Sequence, residues 1–220
     1  NTNLGFNITF LSIGEWTSDT ISDIVLGGES VGDFIRLLGN GKEFGANFTY
    51  VYQEKAGGIA EALYLTKEIV KGSKIAVILG DNIFEDNFTE EVNEFENNNT
   101  IDCVLFLKEV PDPERFGVAE VDNNGKILNI EEKPQNPKTN LCVTGLYFYN
   151  EKIFDIIEKV IEEIGYSNRG ELEITDVNNF YVKNSNSISK VVKNFWSDAG
   201  TFSTLLKCSN FMKNSLNNKK

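Results

Sequence analysis

Apolar runs and amphipathic periods alternate along most of this chain. Ile24-Val25-Leu26 run into Gly27-Gly28, and Val31, Phe34, Ile35, Leu37 and Leu38 follow at helical spacing, which predicts strand, glycine turn and helix. Residues 48–52 and 59–70 repeat the unit as a second strand and helix. A third begins at Lys74, where Ile75-Ala76-Val77-Ile78-Leu79 are consecutive apolar residues, too few for a helix and suited to a strand buried on both faces. Strands alternating with helical patterns predict an α/β fold with a parallel sheet and helices on its faces. Residues 7–13 predict a short strand, although 1–20 as a whole show no clear period.

Downstream, the pattern predicts a helix over about 88–95 and a buried strand over 101–107. Pro111-Asp112-Pro113-Glu114-Arg115-Phe116 reads as a rigid loop. Residues 117–121 and 126–130, joined by Asp122-Asn123-Asn124-Gly125, read as a hairpin that Glu131-Glu132-Lys133-Pro134 ends. Residues 141–149 supply another long strand, 152–164 an amphipathic helix, and Arg169 to Asp176 the entry to a further helix capped by Thr175. A strand over 188–195 then runs into Trp196-Ser197-Asp198.

Composition narrows the chemistry. At 220 residues and 40% hydrophobic, the chain can bury a substantial core as one domain. A formal charge of -12 argues against nucleic-acid or anionic-membrane partners, and no apolar run is long enough to span a bilayer. An anionic ligand would need a few placed cations and backbone N–H groups. With no histidine, every mechanism built on an imidazole base is excluded and a zinc site is disfavoured. Cys103, Cys142 and Cys208 sit in apolar or helical patterns without metal-site spacing and read as core thiols of a reducing cytoplasm.

Two carboxylates stand at strand ends. In open α/β sheets ligands bind beyond the carboxyl ends of the strands, which is where Asp81 and, by the same pattern, Asp198 fall. Two such carboxylates joined by a lysine suit Mg²⁺ and a phosphate, since Mg²⁺ takes few protein carboxylates and completes its shell with phosphate oxygens and water. The plainer readings are that Gly80-Asp81-Asn82 is a turn and that Asp198 caps the last helix. Gly27-Gly28-Glu29-Ser30-Val31-Gly32 lacks the glycine spacing and the lysine of a phosphate loop. Gln53-Glu54-Lys55-Ala56-Gly57-Gly58 is more suggestive, because paired glycines permit close backbone approach and Gln53 offers both a donor and an acceptor to a flat base. Glu131, Glu132 and Lys133 form either a solvated charge cluster or part of a site.

Taken in order, Gln53-x-x-Ala56-Gly57-Gly58-Ile59-Ala60, Leu79-Gly80-Asp81-Asn82, Phe116-Gly117-Val118, Glu131-Glu132-Lys133-Pro134, Thr144-Gly145-Leu146-Tyr147, Arg169-Gly170-Glu171-Leu172-Glu173-Ile174-Thr175-Asp176 and Trp196-x-Asp198-x-Gly200-Thr201 resemble the motifs of glucose-1-phosphate thymidylyltransferases. The resemblance covers about residues 21–212 and implies a Rossmann-like, three-layer nucleotidyltransferase fold with a mixed, mostly parallel sheet and a small β-hairpin sugar-binding part. Residues 1–20 would be an atypical segment and 213–220 a polar tail. It further implies transfer of a thymidylyl group from dTTP, or a uridylyl group from UTP, to glucose 1-phosphate, with release of pyrophosphate. Gln53 and the backbone of Gly58 would hold the base, and Asp81 and Asp198 would bind Mg²⁺. Gly117, Glu132 and Val143 would contact the hexose, Lys133 and Arg169 its phosphate, and assembly into a homo-oligomer is compatible with the family.

One departure is plain. Members of the family open with a Leu-Ala-Gly-Gly-x-Gly-Thr-Arg loop and a lysine near Leu-Leu-Pro that grip the triphosphate, and these 220 residues contain neither. The expectation is an N-terminally incomplete domain, with apolar sheet surface exposed where a central strand belongs and either no catalysis or only nucleotide-sugar binding. A glycosyltransferase is a weaker alternative, since no Asp-x-Asp stands at a strand end.

Overall fold

A computed structural model of the protein describes residues 12–14 and 23–217. Of the strand expected over 7–13, residues 7–11 lie outside the described residues, as does most of the 1–20 segment. Nine strands form one sheet: β1 (Ser12–Gly14), β2 (Asp23–Gly27), β3 (Phe48–Tyr52), β4 (Ile75–Ile78), β6 (Cys103–Glu109), β7 (Gly117–Val121), β8 (Ile127–Glu132), β9 (Leu141–Tyr149) and β10 (Ser187–Val191). The order is β10-β6-β9-β4-β1-β2-β3, with β7 joined to β9 and β8 to β7. A separate ribbon pairs β5 (Asn82–Phe84) with β11 (Trp196–Asp198).

The sheet is mixed, as expected, but its balance is reversed. Among the described pairings only β2–β3 and β6–β10 are parallel, because both β1 and β9 run antiparallel to β4. Burial patterning reports which faces of a strand are covered, not its neighbour's direction. Since β1 opposes both β2 and β4, strands β2, β3 and β4 point the same way, and Gly27, Tyr52 and Ile78 end at one edge. The expected gap in the sheet is corrected too: Ser12 lies opposite both Val25 and Ile78, so the backbone of β1 supplies partners to strands that would otherwise carry unpaired N–H and C=O groups.

Each face of the sheet has its own core. Ile24, Leu26, Val77, Leu105, Tyr147 and Tyr149 pack beneath α2 (Ile59–Tyr64), α5 (Ile153–Glu163) and α6 (Ile174–Asn184). On the opposite face Phe106, Cys142, Leu146 and Phe148 meet α4 (Thr89–Asn97) and Trp196. The remaining helices are α1 (Val31–Leu38), α3 (Lys67–Val70) and α7 (Phe202–Asn217), the last reaching past residue 212 into the stretch expected to be a tail. All three cysteines are buried and free, and burial pushes the Cys142 thiol up to about 12. Among the described residues no helix is long and apolar enough to cross a membrane.

Three elements differ from expectation for identifiable reasons. The helix over 59–70 is split into α2 and α3 where the fully buried Thr66 turns its hydroxyl onto the Leu63 carbonyl at 2.7 Å. Helix α6 starts at Ile174 and is not capped by Thr175, whose hydroxyl is used elsewhere. The strand over 188–195 stops at Val191. There the Lys108 ammonium gathers the carbonyls of Val192, Lys193 and Asn194 at 3.1, 3.2 and 2.6 Å, while Asp86 accepts the N–H groups of Lys193 and Asn194. Replacing Lys108 with Met should therefore lower unfolding stability by about 2 kcal/mol, the scale of charged hydrogen bonds lost with no partner to replace them. Urea denaturation measures this, and an unchanged midpoint would mean that water satisfies the loop.

Candidate active site

The turn between β4 and β5 carries Asp81. Leu79 extends the β4–β9 pairing through its N–H to the Gly145 carbonyl at 2.8 Å, and Asn82 N–H closes back on the Leu79 carbonyl at 3.0 Å. The segment is thus a turn, and its carboxylate also faces Asp198. A Cβ built on Gly200 would stand 3.2 Å from Asp198 Oδ2 and 3.5 Å from Asp81 Oδ2, so the two oxygens flank one small gap. The Ala199 N–H donates to the Asp81 carbonyl at 2.6 Å and locks the two segments together. Burial raises the Asp81 pKa and the Asp198 charge adds to it, against a hydrogen bond from Asn82. Asp198 does not cap α7: Thr201 Oγ1 accepts the Thr204 N–H at 3.2 Å, whereas Asp198 accepts Gly200 N–H and pairs with Arg115.

Asn82 organises this corner. Its Nδ2 donates to Asp81 Oδ1 at 2.7 Å, and its Oδ1 accepts from Gly145 N–H and Trp196 Nε1, both at 2.8 Å. Gly145 is needed for the close approach, since a Cβ there would stand 2.5 Å from Asn82 Nδ2. Arg115, on the one-turn segment Pro113–Arg115, reaches Asp112 at 2.9 Å and Asp198 at 2.8 Å.

A second cluster gathers beside β8. Glu132 lies in that strand rather than beyond its end, opposite Gly117 of β7. Its Oε2 accepts the Thr175 hydroxyl at 2.6 Å, and its Oε1 lies 3.5 Å from Lys133 Nζ and 3.7 Å from Arg169 Nη2. Both cations expected to hold a phosphate therefore converge on one carboxylate oxygen, and Glu132 is part of a built cluster rather than a solvated run. Arg169 is also held by Glu173 at 2.9 Å and by Glu171 at 3.4 Å. Lys133 is the one non-glycine at positive φ, 45°, among the described residues, a conformation that costs energy and recurs at functional sites. A Cβ on Gly117 would meet Thr175 Oγ1 and Glu132 Oε2 at 3.4 and 3.5 Å, so its absence leaves room beside them. Val143, buried in β9, shares a strand face with Gly145 and Tyr147. Burial raises the Tyr147 hydroxyl pKa, and the charges of Glu132 and Asp81 both add to it.

On the third side, Gln53 follows β3 and its side chain is turned inward. Nε2 donates to the Gly58 carbonyl at 3.2 Å and to Glu61 Oε1 at 3.3 Å. Gly58 has φ 95°, and a Cβ there would stand 2.5 Å from the Leu172 carbonyl oxygen, so packing alone demands glycine. Gln53 and Asp81 nevertheless follow strands that end at the same sheet edge.

The acid pair fits a hard divalent cation. Two carboxylate oxygens line a gap that a single Cβ would fill, and Mg²⁺ needs few protein carboxylates because it completes its shell with water or phosphate oxygens. Four residues of this site are given no part in it by the sequence reading: Arg115, Asn82, Trp196 and Thr175, the last read as a helix cap. Asn82, Thr175 and Trp196 stand within the motifs quoted above, whereas Arg115 shows only the Asp112–Arg115 spacing within a proline-stiffened loop.

The sequence pattern of the nucleotidyl transferase family matches residues 14–215. Glucose-1-phosphate thymidylyltransferase of Neisseria meningitidis is 35% identical over 192 residues, covering 86% of this chain and 65% of that protein. That of Neisseria gonorrhoeae is 38% identical over 182 residues, covering 81% and 62%. The chain thus spans less than two thirds of these relatives. Among solved structures, a Bacillus anthracis protein described as a glucose-1-phosphate thymidylyltransferase, in complex with sucrose, superimposes with a TM-score of 0.77 at 44% identity, covering 86% of this chain and 74% of that one. UDP-glucose pyrophosphorylase bound to UDP-glucose has a TM-score of 0.71 at 21% identity, covering 87% and 80%, which shows the shared fold alone. With a family pattern over nearly the whole chain and a solved relative of the same fold at this identity, the chain belongs to the nucleotidyl transferase family.

Proposed function

We propose that this chain carries the site of a sugar-phosphate thymidylyltransferase, joining dTTP to glucose 1-phosphate. The observation that carries the reading is the convergence of Asp81 and Asp198 on one gap, beside a cluster in which Lys133 and Arg169 share a focus. An oxygen of glucose 1-phosphate attacks the α-phosphorus of the nucleotide, the bond to the bridging oxygen breaks, and pyrophosphate leaves. Such transfer asks the protein to align the reactants and neutralise charge, and needs neither a protein nucleophile nor histidine.

In this reading Lys133 and Arg169 hold the sugar phosphate. Glu132, kept in place by Thr175, accepts hexose hydroxyls beside the open backbone of Gly117, and Val143 supplies an apolar contact. Gln53 and the Gly58 backbone face the base; the Gln53 amide is committed through Nε2 to Gly58 and Glu61, which leaves Oε1 as the acceptor for a base N–H. Asp81 and Asp198 would hold Mg²⁺, which when bound supplies charge neutralisation for the phosphates.

Changing Lys133 to Ala should weaken glucose 1-phosphate binding with little effect on nucleotide affinity, since a charged phosphate contact is removed. Titration calorimetry with each ligand decides it, and equal weakening of both would make Lys133 structural.

The activity itself is tested by pyrophosphate release from two proteins, the 220-residue chain and a version bearing a family-type glycine-rich segment in place of residues 1–20. One preorganised donor at the transferring group is worth about a hundredfold in rate, so the unmodified chain should stay at background. The second protein should turn over with Mg²⁺ and lose at least about a hundredfold on Asp81→Asn without a matching loss of stability. Silence of the segment-bearing version would sink the reading, while activity of the unmodified chain would overturn only the expected role of the loop.

A further inference from the structure

The acid pair already has a cation beside it. Arg115 Nη2 lies 2.8 Å from Asp198 Oδ2, the same oxygen that borders the gap facing Asp81. Two further contacts hold the guanidinium there and do not depend on Asp198. Asp112 Oδ2 takes Nη1 at 2.9 Å, and the Phe116 ring lies under the guanidinium with its centroid 4.9 Å away. Phe116 is in turn fixed edge-on against Trp196 at 5.4 Å, so the loop carrying the arginine and the strand carrying Asp198 move as one piece. Asp198 is 13% exposed, which leaves little water to screen the pair.

We propose that Arg115 is a resident counter-ion of the acid pair, which holds Asp198 in place without a divalent cation and competes with such a cation for Asp198 Oδ2. The proposal rests on the reading of Asp81 and Asp198 as the metal-holding pair and adds a residue that this reading leaves without a role. Its chemistry follows from charge. Two carboxylates facing one gap repel each other, and pairing one of them with a fixed guanidinium makes the arrangement tolerable. The same guanidinium sets a positive charge next to any cation that enters, so a bare cation binds weakly. A cation arriving with polyphosphate brings negative charge that offsets the arginine, which favours joint entry of metal and nucleotide.

The test uses Mn²⁺ alone, without nucleotide, on the 220-residue chain, with free Mn²⁺ measured by electron paramagnetic resonance. Arg115→Gln and Arg115→Met both remove the charge and should tighten Mn²⁺ binding on the order of tenfold, as expected for one nearby unit charge in a partly shielded site. Arg115→Lys keeps the charge and should stay near the parent protein. As a second readout, the neutral variants should melt at lower temperature in chelator, yet gain more from saturating Mn²⁺ than the parent does, because a tighter ligand stabilises more. Asp81→Asn is the control. If it loses Mn²⁺ binding while the neutral Arg115 variants bind no more tightly than the parent, Arg115 is a structural ion pair and the proposal is wrong. If Asp81→Asn binds Mn²⁺ as well as the parent, the acid pair is not a metal site, and the underlying reading fails instead.

Discussion

The amide of Asn82 satisfies three groups at once, and the site's geometry hangs on it. Its oxygen accepts two N–H donors, from Gly145 in β9 and Trp196 in β11, which leaves its nitrogen to face the Asp81 carboxylate. One side chain thereby joins the end of β4, the middle of β9 and the start of β11. The close approach admits no side chain at Gly145. Because the donors are a backbone N–H and a largely buried indole, their orphaning would carry the full penalty of unmet hydrogen bonds. This arrangement aims Asp81 at Asp198 and gives both Asp81 and Asn82 a task beyond that of a turn.

Holding two carboxylates together is costly in a protein of charge -12. The structure answers locally. Arg115 sits against Asp198, while Lys133 and Arg169 stand on the other flank around Glu132. None of these three cations is spare: each already lies near an acid, so none forms a bare positive patch. The strained backbone at Lys133 fits this arrangement, since its N–H is tied to the Phe116 carbonyl at 3.0 Å and links the Glu132 cluster to the loop that carries Arg115.

What the sequence showed, and what it concealed, divides along contact distance. Asp81 and Asp198 could be paired from the sequence because its pattern places each at a strand end, the edge where α/β sheets gather ligand-facing side chains, and their carboxylates do border one gap. The partners that aim them were not, because Arg115 and Asp198 lie 83 positions apart, and Asn82 and Trp196 lie 114 apart. Thr175 looked like a helix cap from its place before a periodic stretch, yet the helix begins one residue earlier and the hydroxyl goes to Glu132. Strand directions failed for a related reason, since burial is written in the order of apolar residues whereas direction depends on which strand lies alongside. Gln53 and Gly58 were legible as a motif, and the structure gives their conservative explanation as well: each is required by an internal contact.

Tyr147 shows how the two flanks can work as one site. It lies in β9 two residues beyond the Gly145 that meets Asn82, it is 4% exposed, and the charges of Glu132 and Asp81 both act on it. Its burial, reinforced by those charges, keeps the hydroxyl protonated across the whole range in which proteins function. Tyr147 is therefore a neutral side chain on the strand that also carries Val143 and Gly145. A deprotonated group there would add a third negative charge to those of Glu132 and Asp81, and their repulsion is part of what holds its proton. A neutral ring instead leaves Arg115, Lys133 and Arg169 as the counter-charges that Asp198 and Glu132 meet.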